Sequence, residues 1–242
     1  MWKTRSGRVI YQSPGGAKVH QNLFYRWLTL GSDALQTVIN RQNPAKPALK
    51  YIPHLILPAK IKSGNSCLLG LGGAGVGHAL NDFLTGSSMI AVEQSEEVIQ
   101  IAETYFMLEK IKNLTVVHED ASQFVKTCQS QFNHLIVDLY NADSFPEQCN
   151  NKEFFAHCRR LLISGGILAV NIASLKQYQS VSQHILQQFK MRTISLPVSG
   201  TANMVILAIR ANTVTPLLRL IAENIKLKKL IWDRDWGYIA EI

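Results

Sequence analysis

An apolar run, Ser66-Cys67-Leu68-Leu69-Gly70-Leu71, passes directly into the small-residue turn Gly72-Gly73-Ala74-Gly75, and this junction constrains the chain more than any other. A strand without polar alternation needs cover on both faces, so it reads as an inner strand of a parallel sheet. Glycines placed directly after such a strand let the backbone turn sharply and approach a ligand closely. The segment from Val76 to Phe83 can then start a helix. A second strand, Ser88 to Val92, ends in Glu93, where a carboxylate can accept hydrogen bonds from both hydroxyls of a ribose. Alone, the glycine turn is a weak signal, since such a turn can simply join a strand to a helix. With Glu93 it reads as a nucleoside site.

The alternation of strand and helix continues. Apolar residues at Val98, Ile101, Ala102, Tyr105 and Phe106 predict a helix from Glu96 to Leu108. Strands are predicted at Leu114 to Val117, His134 to Asp138 and Gly166 to Asn171, with helices near Ala121 to Cys128, Lys152 to Leu162 and Gln177 to Phe189. Met191 to Leu196 and Asn203 to Ala208 flank Pro197-Val198-Ser199-Gly200 as a hairpin. The expected fold class is α/β: a Rossmann-like sheet of the class I methyltransferase type, finished by a β-hairpin, with ligands at the carboxyl ends of its strands.

Short strand-like bursts between Arg8 and Asn40, punctuated by Pro14-Gly15-Gly16 and Gly31-Ser32-Asp33, predict a small antiparallel β extension over residues 1–50. Residues 51–242 are then the nucleoside-binding catalytic domain, opened by a helix near Tyr51. Val214 to Leu227 reads as an amphipathic helix that covers the sheet or a partner subunit, with Lys226, Lys228 and Lys229 as its solvated end.

Two further acids fall at strand ends. Asp120, in His118-Glu119-Asp120-Ala121, can accept from the exocyclic amine of adenine or cap the next helix. Asp138 closes the fourth strand over the cleft. A dinucleotide is the competing ligand, but Gly73 and Ala74 crowd the strict G-x-G-x-x-G spacing and the acid after the fourth strand is not a dehydrogenase feature, so a mononucleoside sulfonium is favoured. Lys and Arg number 25 against 17 Asp and Glu, a net charge of +8, but the positive charge is dispersed and no nucleic-acid partner is expected. Seven histidines and four cysteines show no ligand spacing, so no metal is expected. The unpaired cysteines suit a reduced, cytoplasmic protein, and neither a signal peptide nor a membrane span is expected.

These residues resemble the spermidine synthase family of polyamine aminopropyltransferases, in its diverged spermidine synthase-like branch. The resemblance is carried by Leu68 to Gly73, Ala91-Val92-Glu93, Val117 to Ala121, Asp138 to Pro146, and Phe154-Phe155 with Leu161 to Gly166. It implies transfer of the aminopropyl group of decarboxylated S-adenosylmethionine to a polyamine such as putrescine, with release of methylthioadenosine. It also implies a homodimer. Gly70, Gly72 and Gly73 would line the methionine-derived part of the co-substrate, with Leu71 and Gly75 also at co-substrate-binding positions. Glu93 would hold the ribose and Asp120 with Ala121 would bound the adenine, while Gln94 and Leu139 also fall at co-substrate-binding positions. Asp138 falls at the catalytic aspartate, Tyr51 at an active-site tyrosine, and Gln36, Tyr140 and Asp143 at acceptor positions.

Departures from the pattern keep other readings open. Ala74 replaces the aspartate of Gly-Gly-Gly-Asp-Gly, and an aspartate facing the co-substrate tail would repel the carboxylate of ordinary S-adenosylmethionine. Ile52-Pro53 and Gly15-Gly16 replace polar family residues. An S-adenosylmethionine-dependent methyltransferase and a catalytically decayed nucleoside-binding homologue are the alternatives.

Overall fold

The computed structural model describes Thr4 and residues 6–140, 144–173, 175–234 and 236–242. Strands β1 (Arg8–Gln12), β2 (Ala17–Gln21), β3 (Tyr25–Leu30) and β4 (Leu35–Asn40) form an antiparallel sheet in chain order. Two short helices follow, α1 (Ile52–Leu55) and α2 (Leu57–Ile61), where a single helix was expected. Pro53 and Pro58 explain the break, since each stands in the first turn of its own helix. A proline further inside would lack its N–H and clash with the preceding turn.

The remaining elements alternate as predicted: β5 (Ser66–Leu69), α3 (Gly75–Leu80), β6 (Met89–Glu93), α4 (Glu96–Tyr105), β7 (Leu114–His118), α5 (Ala121–Thr127), β8 (Phe132–Val137), α6 (Lys152–Arg160), β9 (Leu162–Ile172) and α7 (Leu175–Gln188). Then come β10 (Thr193–Pro197), β11 (Met204–Ile209), α8 (Thr215–Asn224), β12 (Lys229–Asp233) and β13 (Gly237–Glu241). They build a nine-stranded sheet in the order β12-β13-β10-β11-β9-β8-β5-β6-β7. The run β9-β8-β5-β6-β7 is parallel, and β11 enters antiparallel to both β9 and β10, as the expected hairpin requires.

Side-chain alternation explains why these strands are apolar throughout. Leu68, Ile136, Ala169 and Leu207 belong to the core on one face, which extends to Trp27 and Val38 of the N-terminal sheet. Their neighbours Cys67, Leu69, Leu135, Val137, Leu168 and Val170 belong to the core on the other face, with Phe154, Phe155 and Ile185. Both faces of the inner strands are therefore largely dry, and the polar groups of the cleft stand at the strand ends. Helix starts follow side-chain capping: Ser95, Asp120 and Asn151 accept from amides of α4, α5 and α6.

The C-terminal reading needs correction. Helix α8 stops at Asn224, and Lys229 opens a strand instead of ending a helix. Strand β12 pairs antiparallel with β13, which runs parallel to β10 and so extends the sheet by a second hairpin. Among the described residues no helix is long and apolar enough to cross a membrane.

Candidate active site

The strand order places β6, β5, β8, β9 and β11 around one cleft of about 690 Å³, at the carboxyl ends of the parallel strands. The chain direction across the sheet reverses between β5 and β8, which opens the crevice there. Gly70, Leu71, Gly72, Gly75, Glu93, Gln94, Asp120, Ala121, Asp138, Leu139 and Tyr140 all line it. Gln36 and Tyr51 line the opposite wall, so the N-terminal sheet and the start of α1 close the site. Asp143 lies outside the described residues.

The glycine turn is tied to Glu93. Oε2 of Glu93 accepts the amides of Leu71 (3.1 Å) and Gly72 (3.3 Å), and Oε1 accepts that of Ser95 (3.1 Å). Each carboxylate oxygen keeps acceptor capacity for a ligand hydroxyl. Gly70 has φ 95°, and a Cβ built there would lie 2.3 Å from the carbonyl oxygen of Asp138. The turn and the end of β8 are thus in backbone contact, possible only with glycine.

One expectation for this turn is corrected. Gly73 does not line the cleft: its amide donates to Oγ1 of Thr37 at 2.8 Å, and a Cβ there would press on Phe106 and Thr37 at 2.9 Å. Ala74 is fully buried with φ 58°, beneath the first turn of α3.

Asp120 caps α5. Its Oδ1 accepts the amides of Ser122 and Gln123 and the Ser122 hydroxyl, while Oδ2 accepts from Gln148 at 3.3 Å. Burial works to raise its pKa, but these donors outweigh it and leave the carboxyl below its ordinary value.

Asp138 has a different environment. The Tyr51 hydroxyl donates to Oδ2 at 2.9 Å and the Asn171 amide donates to Oδ1 at 2.9 Å. Burial pushes the Asp138 pKa up, and the two hydrogen bonds only partly restrain it, so the net shift is upward. Burial, then the neighbouring Asp138, holds Tyr51 well above its ordinary value, so Tyr51 remains a donor. Asn203 donates to Oδ1 of Asn171 at 2.9 Å, which fixes that amide with its NH2 toward Asp138. Within the described residues, no cluster of three or more His, Cys, Asp or Glu side chains is arranged to hold a metal ion.

Asn171, Asn203 and Thr37 went unassigned in the sequence. The available signal was Asn171 itself, the one amide in an otherwise apolar stretch from Ile167 to Ile172. Replacing it tests the arrangement directly. Asn171→Ala strips a half-buried carboxylate of one donor and Asn203 of its acceptor, and is expected to lower unfolding free energy by about 1–3 kcal/mol in urea titrations at pH 8. A change within a few tenths would show that Asp138 does not depend on this amide.

Comparison with known proteins bears on the whole cleft. A polyamine aminopropyltransferase of Chromobacterium violaceum is 26% identical over 189 residues, covering 76% of this chain and 72% of that protein. The eEF1A lysine and N-terminal methyltransferase homolog of Drosophila pseudoobscura pseudoobscura is 32% identical over 130 residues, 52% of this chain and 17% of that protein. The crystal structure of spermidine synthase from Thermotoga maritima shares the fold with a TM-score of 0.67 at 16% identity, covering 95% of this chain and 82% of that one. The Spermine/spermidine synthase domain matches residues 52–204. That match runs from α1 into β11 and takes in the glycine turn, Glu93, Asp138, Asn171 and Asn203, and on it the chain belongs to the spermine/spermidine synthase family.

Proposed function

We propose that the chain transfers the aminopropyl group of decarboxylated S-adenosylmethionine to an amine of a polyamine such as putrescine, releasing methylthioadenosine. The observation that carries this reading is the half-buried Asp138, held by Tyr51 and Asn171 on the floor of the cleft that Glu93 and the glycine turn enclose. The cleft volume and the spare acceptor capacity of Glu93 suit a nucleoside. The sulfonium supplies an electrophilic carbon and leaves as a neutral thioether, so no general acid is needed. The acceptor is the difficult partner, because an ammonium group has no lone pair at neutral pH. Asp138 takes that proton, the freed amine forms the new carbon–nitrogen bond, the carbon–sulfur bond breaks, and the proton passes to solvent. An upward-shifted carboxylate is better matched to this task than an ordinary one. Its negative charge also attracts the cationic acceptor.

Methyl transfer from S-adenosylmethionine is the second reading, and Lys50 favours it. This lysine lines the cleft beside Tyr51, with Nζ donating to the Ser199 carbonyl at 3.3 Å. A cation there opposes a diamine's far end and suits a carboxylate. The relative named for lysine and N-terminal methylation supports the same reading.

Titration calorimetry with decarboxylated S-adenosylmethionine, S-adenosylmethionine and methylthioadenosine separates the two. Tighter binding of the decarboxylated compound, by tenfold or about 1.4 kcal/mol, is expected. Binding of the carboxylated compound alone would remove the aminopropyl reading and leave the methyl one; binding of neither would remove both.

A further inference from the structure

The net charge is not shared between the two sheets. Eight of the 25 Lys and Arg but only one of the 17 Asp and Glu fall in residues 1–50, so this stretch holds +7 of the net +8. The positive charge expected to be dispersed is therefore concentrated in the N-terminal extension. Its one acid, Asp33, stands in the turn between β3 and β4, where Ala34 and Leu35 line the cleft. Three arginines stand at the opposite end of β3. Gln21 is the ladder partner of both Arg8 and Arg26, and the Arg41 amide donates to the Phe24 carbonyl at 2.9 Å. Burial and then the nearby Arg41 lower the Arg26 pKa, and no carboxylate is among the groups that act on it. Among the described residues none of the three arginines is ion-paired.

The same end carries the turn between β2 and β3, where Leu23 is 73% and Phe24 50% exposed. The turn is firmly held. Oδ1 of Asn22 accepts the amides of Phe24 at 3.0 Å and Tyr25 at 2.8 Å, and Nη1 of Arg41 donates to the carbonyls of Asn22 at 3.0 Å and Leu23 at 3.1 Å. Small polar residues would reverse the chain equally well. Two large apolar side chains fixed in solvent, beside uncompensated positive charge, instead suit a partner that is both apolar and anionic.

We propose that this end of the N-terminal sheet docks the chain reversibly on an anionic phospholipid bilayer, with Leu23 and Phe24 in the headgroup layer and Arg8 and Arg41 against lipid phosphates. The turn engages Nη1 of Arg41, which leaves the other guanidinium nitrogens as donors for a phosphate. A small apolar insertion or a basic patch alone binds a membrane weakly, and the two together bind it well. Nucleic acid is served less well. Trp27, the nearest ring that could join Phe24 as a platform for bases, is 5% exposed and already stacked on His20. Strand β3 spans six residues, about 20 Å, so docking by this end leaves the cleft at its other end clear of the bilayer. The docking does not depend on which group the cleft transfers.

Flotation of the full-length chain with vesicles tests this, using phosphatidylcholine with and without phosphatidylglycerol. Affinity for the anionic vesicles is expected to exceed that for pure phosphatidylcholine at least ~10-fold and to weaken as salt rises. Leu23→Ser combined with Phe24→Ser, and separately Arg8→Glu, are each expected to lower it ~10-fold, with unchanged circular dichroism spectra and urea midpoints. The native thiols are buried or only partly accessible, so a single added cysteine can carry an environment-sensitive fluorophore. On anionic vesicles the emission of labelled Leu23→Cys is expected to shift to the blue, and that of labelled Gln12→Cys, at the far end of β1, to stay unchanged. Absence of binding to anionic vesicles overturns the proposal, as does binding that the double serine variant leaves untouched. Poly(U) RNA that displaces the vesicles, and binds the double serine variant as tightly as the native chain, would assign the basic end to nucleic acid and overturn the lipid partner.

Discussion

Replacing Asp138 by asparagine is expected to reduce turnover about 10³-fold, within the range assigned to a positioned general base, while leaving co-substrate affinity in calorimetry unchanged. The geometry predicts this separation. Asparagine retains the size of the side chain and can still meet Tyr51 and Asn171, which now hold the carboxylate at 2.9 Å each. The contacts of Glu93 with the glycine turn are also left intact. What is lost is the capacity to take a proton, together with the negative charge that attracts the cationic acceptor. Turnover within a factor of a few of the native chain would remove Asp138 as the base.

The same variant has a stability signature with a definite sign. Burial raises the Asp138 pKa above its ordinary 3.8, so the folded state binds this proton more tightly than the unfolded state. Its favourable contribution is then fully present below the unfolded value and is lost as pH rises through the folded one. Asparagine does not titrate. Thermal unfolding is therefore expected to show Asp138→Asn at least as stable as the native chain at pH 8, with the advantage shrinking as pH falls toward the ordinary carboxylate value. An advantage growing toward low pH would contradict the direction of the shift.

How much of this was legible in the sequence follows from where the information resides. Inner strands such as Leu68-Leu69 and Leu135-Ile136-Val137 announce themselves because both faces are dry, and the strand ends Glu93 and Asp138 follow directly. Side-chain reach is not local in the chain. The bond from Asn171 to Asp138 spans 33 residues, and that from Thr37 to Gly73 spans 36 residues. Neither leaves a periodic trace. The left-handed backbone of Ala74, at φ 58°, is likewise not specified by a string of small residues. The C-terminal hairpin was missed for another reason: Lys226, Lys228 and Lys229 look like the end of the amphipathic helix before them. The apolar triplet Leu230-Ile231-Trp232, with a turn before Gly237, was the better signal.

Gly70 is where the fold and the site cannot be separated, and Gly70→Ala is expected to lower stability by about 4 kcal/mol, or roughly 10 °C in Tm for a chain of this size. Two costs combine. Its φ of 95° strains any L side chain, and the added methyl group would fall 2.3 Å from the Asp138 carbonyl oxygen, a backbone atom that moves only if β8 moves. The amide of Gly70 also donates to the Val92 carbonyl at 2.9 Å, and Asp138 donates to Leu69 at 2.9 Å, so both neighbouring strands resist the shift. Gly86 provides the control: its φ is 74°, but nothing lies within 4 Å of an added Cβ. Gly86→Ala should therefore cost only the backbone strain, about 1 kcal/mol. The difference between the two variants in urea unfolding measures the close approach of turn and strand. Equal losses would show that the conformation of Gly70, and not its contact with Asp138, is what requires glycine. Co-substrate binding should fall with Gly70→Ala and survive Gly86→Ala, because only the first displaces Asp138 relative to Glu93.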